Sequence, residues 1–88
     1  MNPRNSWRLH PQVSVRPESF GALLYHFGTR RLSFLKDRRL LAAVEALEGS
    51  ATAHEACLVA GIGEREQDQY LRALETLAAS HMIEERTE

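Results

Sequence analysis

The sequence predicts an α+β fold, a three-stranded antiparallel β-meander followed by three α-helices. Three observations carry this. A β-branched run, "VSVRP" at residues 13–17, precedes two apolar stretches, "GALLYHF" and "RRLSFL", that flank Gly28-Thr29. The apolar period then changes at Asp37, after which Leu40, Leu41, Val44 and Leu47 recur at helical spacing. Two further stretches with helical starts and stops complete the chain.

The first strand is closed by Pro17, which has no backbone N–H and so suits an edge strand. The next two strands form a hairpin over "FGALLYHFGTRRLSFL", residues 20–35. Gly28 is expected at the first central position of a two-residue type II′ turn, where φ must be positive. The hairpin is apolar at both parities: Leu23, Tyr25 and Phe27 alternate with Leu24, and Phe34 adjoins Leu35. A half-buried strand needs only one apolar face, so this surplus calls for a use.

Asp37 can cap the first helix and Gly49 end it. Thr52-x-x-Glu55 is a capping-box pattern that opens a short second helix through Ala56, Val59 and Ala60, stopped by Gly61. After Gly63 a third helix carries an apolar stripe of Tyr70, Leu71, Leu74, Leu77 and Ala78. Its most ordinary role is to pack into the core, with its start or edge left for a ligand.

At 88 residues the chain is read as one domain, 1–88, with mobile ends at about 1–5 and 85–88. Hydrophobic content of 43% and charged content of 26% are those of a globular protein. No run approaches the roughly 18 apolar residues of a membrane span, and the start lacks a secretion signal. A cytoplasmic protein without membrane contact is therefore expected. The lone Cys57 agrees with a reducing compartment and reads as a small buried helical residue. Residues 1–41 hold eight basic groups against two acidic ones, and residues 42–88 hold three against ten. Such a dipole either attracts its own halves or steers a partner.

No catalytic set emerges. His10, His26, His54 and His81 are scattered, and His54 with Cys57 gives two potential ligands where a zinc site needs three or four. There is no glycine-rich phosphate loop and no nucleophile elbow. The expectation is a binding protein, not an enzyme, with no cofactor and no metal.

Two binding classes fit. Helix 2, "GIG" and helix 3 resemble a helix-turn-helix, and a hairpin beside it resembles a winged helix, so a DNA-binding regulator is the alternative. Its recognition helix would begin "GEREQDQ", with Glu64, Glu66 and Asp68 against Arg65 alone. Phosphate repulsion opposes that, and no nucleic-acid partner is expected. The other class is peptide capture by β-augmentation at an open sheet edge. "RRLSFL" suits it, since Arg30 and Arg31 can attract an acidic segment while Leu32 or Phe34 lines a pocket. The bland reading makes Arg30 and Arg31 gatekeepers against aggregation. A third, weaker reading is a structural subunit that docks on an enzyme without holding a peptide.

A three-stranded meander, three helices and a Leu-x-x-Leu segment before the first helix together resemble the RiPP recognition element, the winged-helix-like fold of the peptide chaperone in pyrroloquinoline quinone biosynthesis. "SWRLHPQVSVRPESFGALLYHFGTRRLSFLKD", Ser6 to Asp37, is similar to the small peptide chaperones of mycofactocin biosynthesis. The resemblance implies a non-catalytic protein that binds the leader of a ribosomally made precursor peptide and presents it to a radical S-adenosylmethionine maturase. It further implies that the leader adds as a strand along Arg30, Arg31, Leu32, Ser33, Phe34 and Leu35, against helix 3 at Gln67, Tyr70, Leu71 and Leu74. Lys36 stands where the family's usual Asn ends the strand, so Asp37 would make that cap differently. The remaining sheet face, whichever of Tyr25, Phe27 and Phe34 or Leu24 and Leu35 it carries, is the candidate for the partner enzyme, with Tyr25 and Phe27 as contacts, and an apolar second face also permits homodimerisation or strand exchange.

Overall fold

A computed structural model describes residues 1–86. Its elements are β1 (Trp7–Leu9), β2 (Val13–Glu18), β3 (Gly21–His26), β4 (Leu32–Leu35), α1 (Arg38–Ala46), α2 (Ala53–Val59), α3 (Glu64–Ala79) and β5 (Ile83–Glu85). The expected meander is present as the antiparallel sheet β2-β3-β4, and the three expected helices follow it. No helix among the described residues is long and apolar enough to cross a membrane.

Caps set the helix ends. Asp37 accepts from the Arg39 N–H at 2.7 Å and starts α1, while Thr52 accepts from the Glu55 N–H at 3.0 Å and starts α2. Past α2, Gly61 has φ +80, Gly61 N–H donates to the Leu58 carbonyl and Ile62 N–H to that of Cys57. This is a Schellman motif, with buried Ile62 supplying its apolar contact. The end of α3 repeats it: His81 takes φ 63, and Met82 N–H donates to the Leu77 carbonyl. Helix α1 stops at Ala46, short of Gly49.

One expectation is corrected. The hairpin does not turn on Gly28-Thr29. His26 N–H donates to the Arg31 carbonyl and Arg30 N–H to the His26 carbonyl, so the loop is Phe27–Arg30 and the left-handed residue is Arg30, φ 62. The reason is the His26 side chain, whose Nδ1 accepts from both Gly28 N–H at 3.0 Å and Thr29 N–H at 3.1 Å, tightening the loop into another shape. Gly28 leaves room for the His26 ring, because a Cβ there would lie 2.9 Å from its Cε1. Consequently Arg30 and Arg31 precede β4 and are not part of it.

An addition to the expected elements is the pair β1-β5, joined antiparallel with Arg8 opposite Glu84 and donating to it at 2.7 Å. Hydrogen bonds join both ends of the described chain to the body. Trp7 Nε1 donates to the Asn2 carbonyl, His54 N–H to that of Pro3, and Arg86 N–H to that of Ser6. Of the expected C-terminal mobile stretch, residues 87 and 88 lie outside the described residues.

The register sorts the apolar surplus of the hairpin. Ala22, Leu24 and Leu35 turn inward and are buried with Val44, Leu47, Leu74, Leu77 and Ile83. Burying each of the Leu, Val and Ile side chains contributes about 1.5–3 kcal/mol. The opposite parity faces outward: Leu23 pairs with Phe34, and Tyr25 with Leu32.

Candidate functional site

Backbone hydrogen bonding makes the two sheet edges unequal. Phe27 N–H donates to the Gln12 carbonyl and His26 N–H to that of Arg31, so odd residues of β3 bond β2 and even residues bond β4. The outward groups of β2 therefore belong to Val13, Val15 and Pro17. Val13 N–H is already given to the His10 carbonyl at 2.9 Å and Pro17 has none, leaving Val15 as the open donor. On β4 the outward positions are Leu32 and Phe34, whose donors and acceptors point away from β3. The β4 edge is the one able to accept a strand.

Beside that edge runs a groove of about 330 Å³ lined by Ser33, Phe34, Leu35, Leu40, Ala73, Thr76 and Leu77. It is mostly apolar, with strand β4 on one side and α1 and α3 on the other. An added strand would set alternate side chains into this groove and the rest on the outer sheet face.

The expected site residues separate accordingly. Ser33 and Leu35 face the groove side, while Leu32 (54% exposed) and Phe34 (61% exposed) also present their side chains on the outer face. Arg30 and Arg31 are exposed on the loop that leads into β4. On α3, Gln67, Tyr70 and Leu74 are buried in the core, and Leu71 lies in a separate depression with Met1, Pro3, Asp68, Arg72 and Glu75. The groove is bordered instead by Ala73 and Thr76, on the other flank of the same stripe. Two small residues on one flank are the signal in the sequence that could have found them. Tyr25 and Phe27 lie on the outer face, their rings edge to face at 4.9 Å.

The far end of the groove strand is fixed by a polar cluster. Tyr70 donates to Asp37 Oδ2, Arg39 forms a fork on Glu66 at 2.7 and 3.1 Å, and the Arg39 guanidinium sits 5.2 Å from the Tyr70 ring centroid. The Tyr70 hydrogen bond, helped by backbone N–H groups and Arg39, holds the Asp37 carboxyl below its ordinary value. Burial, with the Asp37 bond, pushes the Tyr70 phenol up, and Arg39 lowers Glu66. The cap foreseen at Asp37 is thus also the clamp between α1 and α3.

No group of three or more His, Cys, Asp or Glu side chains that could hold a metal ion occurs among the described residues.

The model of the family described as "Peptide chaperone MftB family" matches residues 6–84, nearly the whole chain. The chain belongs to this family. The match covers β1 through β5 and so includes both the β4 edge and the groove. Similar relatives are the peptide chaperones MftB of Mycobacterium tuberculosis, 57% identical, of Mycobacterium ulcerans, 56%, and of Mycolicibacterium smegmatis, 52%. Each alignment covers 93% of this chain, and 75%, 75% and 80% of those MftB proteins respectively. No solved structure matches the chain. Membership of the MftB family makes this a peptide chaperone.

Proposed function

We propose that this protein is a non-catalytic carrier that binds the leader of a ribosomally made precursor peptide as a fourth strand on β4. It presents that peptide to a radical S-adenosylmethionine maturase in mycofactocin biosynthesis, in the cytoplasm, the whole chain acting as one peptide-binding domain. The observation that carries this is the inequality of the two edges: β2 is closed at Val13 and Pro17, while β4 offers Leu32 and Phe34 beside an apolar groove. The guest's backbone supplies the ladder bonds, and Leu40, Ala73, Thr76 and Leu77 select its inward side chains. Arg30, Arg31 and Lys36 are exposed at the two ends of β4 and form no ion pair among the described residues, which suits an acidic guest. The outer face, with Tyr25 and Phe27, receives the maturase.

Titration with the precursor peptide tests the carrier reading. Saturable binding that Phe34→Pro weakens about tenfold or more supports it, because proline removes the outward N–H of Phe34. Undiminished affinity in that variant, with native circular dichroism, rejects strand addition at β4. Tight, steeply salt-dependent binding of a mixed DNA duplex would instead favour the winged-helix regulator.

A further inference from the structure

The outer face of the sheet becomes more apolar toward the guest edge. On this face β2 contributes Ser14, Arg16 and Glu18, the last two paired at 3.0 Å. Next, β3 contributes Leu23 and Tyr25, and β4 contributes Leu32 and Phe34. Phe20 (45% exposed) packs its ring 6.5 Å from that of Phe34, and Phe27 (61% exposed) lies against Tyr25. A sheet face with no partner would be polar outward, as β2 is here. This patch runs up to the open edge and stops there, since among the described residues no strand pairs with the far side of β4.

A guest on β4 would lie about 4.8 Å from it and set its own outward side chains beside Leu32 and Phe34. The patch would then continue onto the guest. Any partner that covers Tyr25, Leu32 and Phe34 would bury guest side chains in the same contact. The exposed basic groups near this face, Arg30, Arg31 and Lys36, match a partner that is apolar at its centre and acidic at its rim.

We infer that the outer face is an incomplete docking surface that the guest strand completes, so that the partner protein distinguishes the loaded carrier from the empty one. This rests on the carrier reading given above, with the maturase as the partner. Because coupling between two binding events is reciprocal, the partner also tightens the hold on the guest by the same factor.

The experiment measures maturase affinity for the chain alone and for the chain saturated with precursor peptide, after precursor affinity has been measured by itself. The expected result is an affinity about fivefold or more higher for the loaded form. Tyr25→Ser with Phe27→Ser should weaken maturase binding by the loaded form about tenfold or more, the two aromatics being anchors of the contact. Phe27→Ser alone, at an exposed position, serves if circular dichroism shows the double variant misfolded. Equal affinity for the loaded and empty forms overturns the inference while leaving the carrier reading intact. Failure of the precursor to bind at all removes the carrier reading and this inference together. Self-association through Tyr25 and Phe27, or binding of a single-stranded RNA in place of the maturase, also overturns it.

Discussion

The phenol of Tyr70 donates a hydrogen bond to the carboxylate of Asp37, joining the middle of α3 to the residue that caps α1 just past the end of β4. One side chain therefore caps a helix just past β4 and clamps a second helix across the groove. Asp37→Ala removes the cap and strands a buried phenol, a loss of about 2–4 kcal/mol from the two effects together. Tyr70→Phe keeps the cap and should cost about 1–2 kcal/mol, less than a fully buried charged hydrogen bond, because Asp37 is partly solvated. Urea unfolding of both variants checks the order.

The same pair gives a pH dependence. Asp37 titrates below its ordinary value of 3.8 in the folded chain, so its contribution is fully present above that value and is lost as pH falls through the lowered one. The stability gap between the wild type and Tyr70→Phe should be constant from neutral pH to about pH 5 and close in stronger acid. A gap that widens on acidification would contradict the assignment.

His26 acts in the opposite part of the pH range. Burial, reinforced by His10 and His81, lowers its imidazole below 6.5, and its Nδ1 must stay unprotonated to accept from Gly28 and Thr29. The unfolded chain binds that proton more readily, so the stability due to neutral His26 is present above about pH 6.5 and declines as pH drops below it. NMR titration should show His26 ionising below the ordinary histidine range, with the Gly28 and Thr29 amides shifting in the same step.

His81 holds a left-handed conformation that costs an L-residue about 1–2 kcal/mol, while its backbone N–H completes the cap on α3. His81→Gly should therefore raise stability by about 0.5–1 kcal/mol, observed as a higher thermal midpoint. A lower midpoint would mean that the imidazole makes a compensating contribution.

The sequence pattern shows the meander, the three helices and the caps at Asp37 and Thr52, because these rest on local periodicity and capping chemistry. It does not show β1 and β5, whose three-residue strands pair across almost the entire chain, or the hairpin loop, whose shape is imposed by the His26 side chain. At the site, Ser33, Phe34 and Leu35 are legible as groove residues from the strand itself. The helical wall is less so. A stripe centred on Tyr70, Leu74 and Leu77 has two flanks, and only tertiary packing decides that Ala73 and Thr76 face β4 while Leu71 faces Met1.

That flank can be tested directly. Ala73 is half-buried in the groove wall, and Ala73→Glu keeps a good helix former while placing a carboxylate where guest side chains would lie. Precursor affinity should fall about tenfold or more, the cost of burying an unpaired charge. Leu71→Glu, on the other flank, should change it by less than about threefold.

Amide hydrogen exchange at the two sheet edges tests strand addition most directly. With saturating precursor peptide, the account predicts new protection of the Leu32 and Phe34 amides on β4, and no change at Val15, the remaining open donor of β2. Unchanged exchange at Leu32 and Phe34 under saturation, or protection confined to Val15, would contradict it.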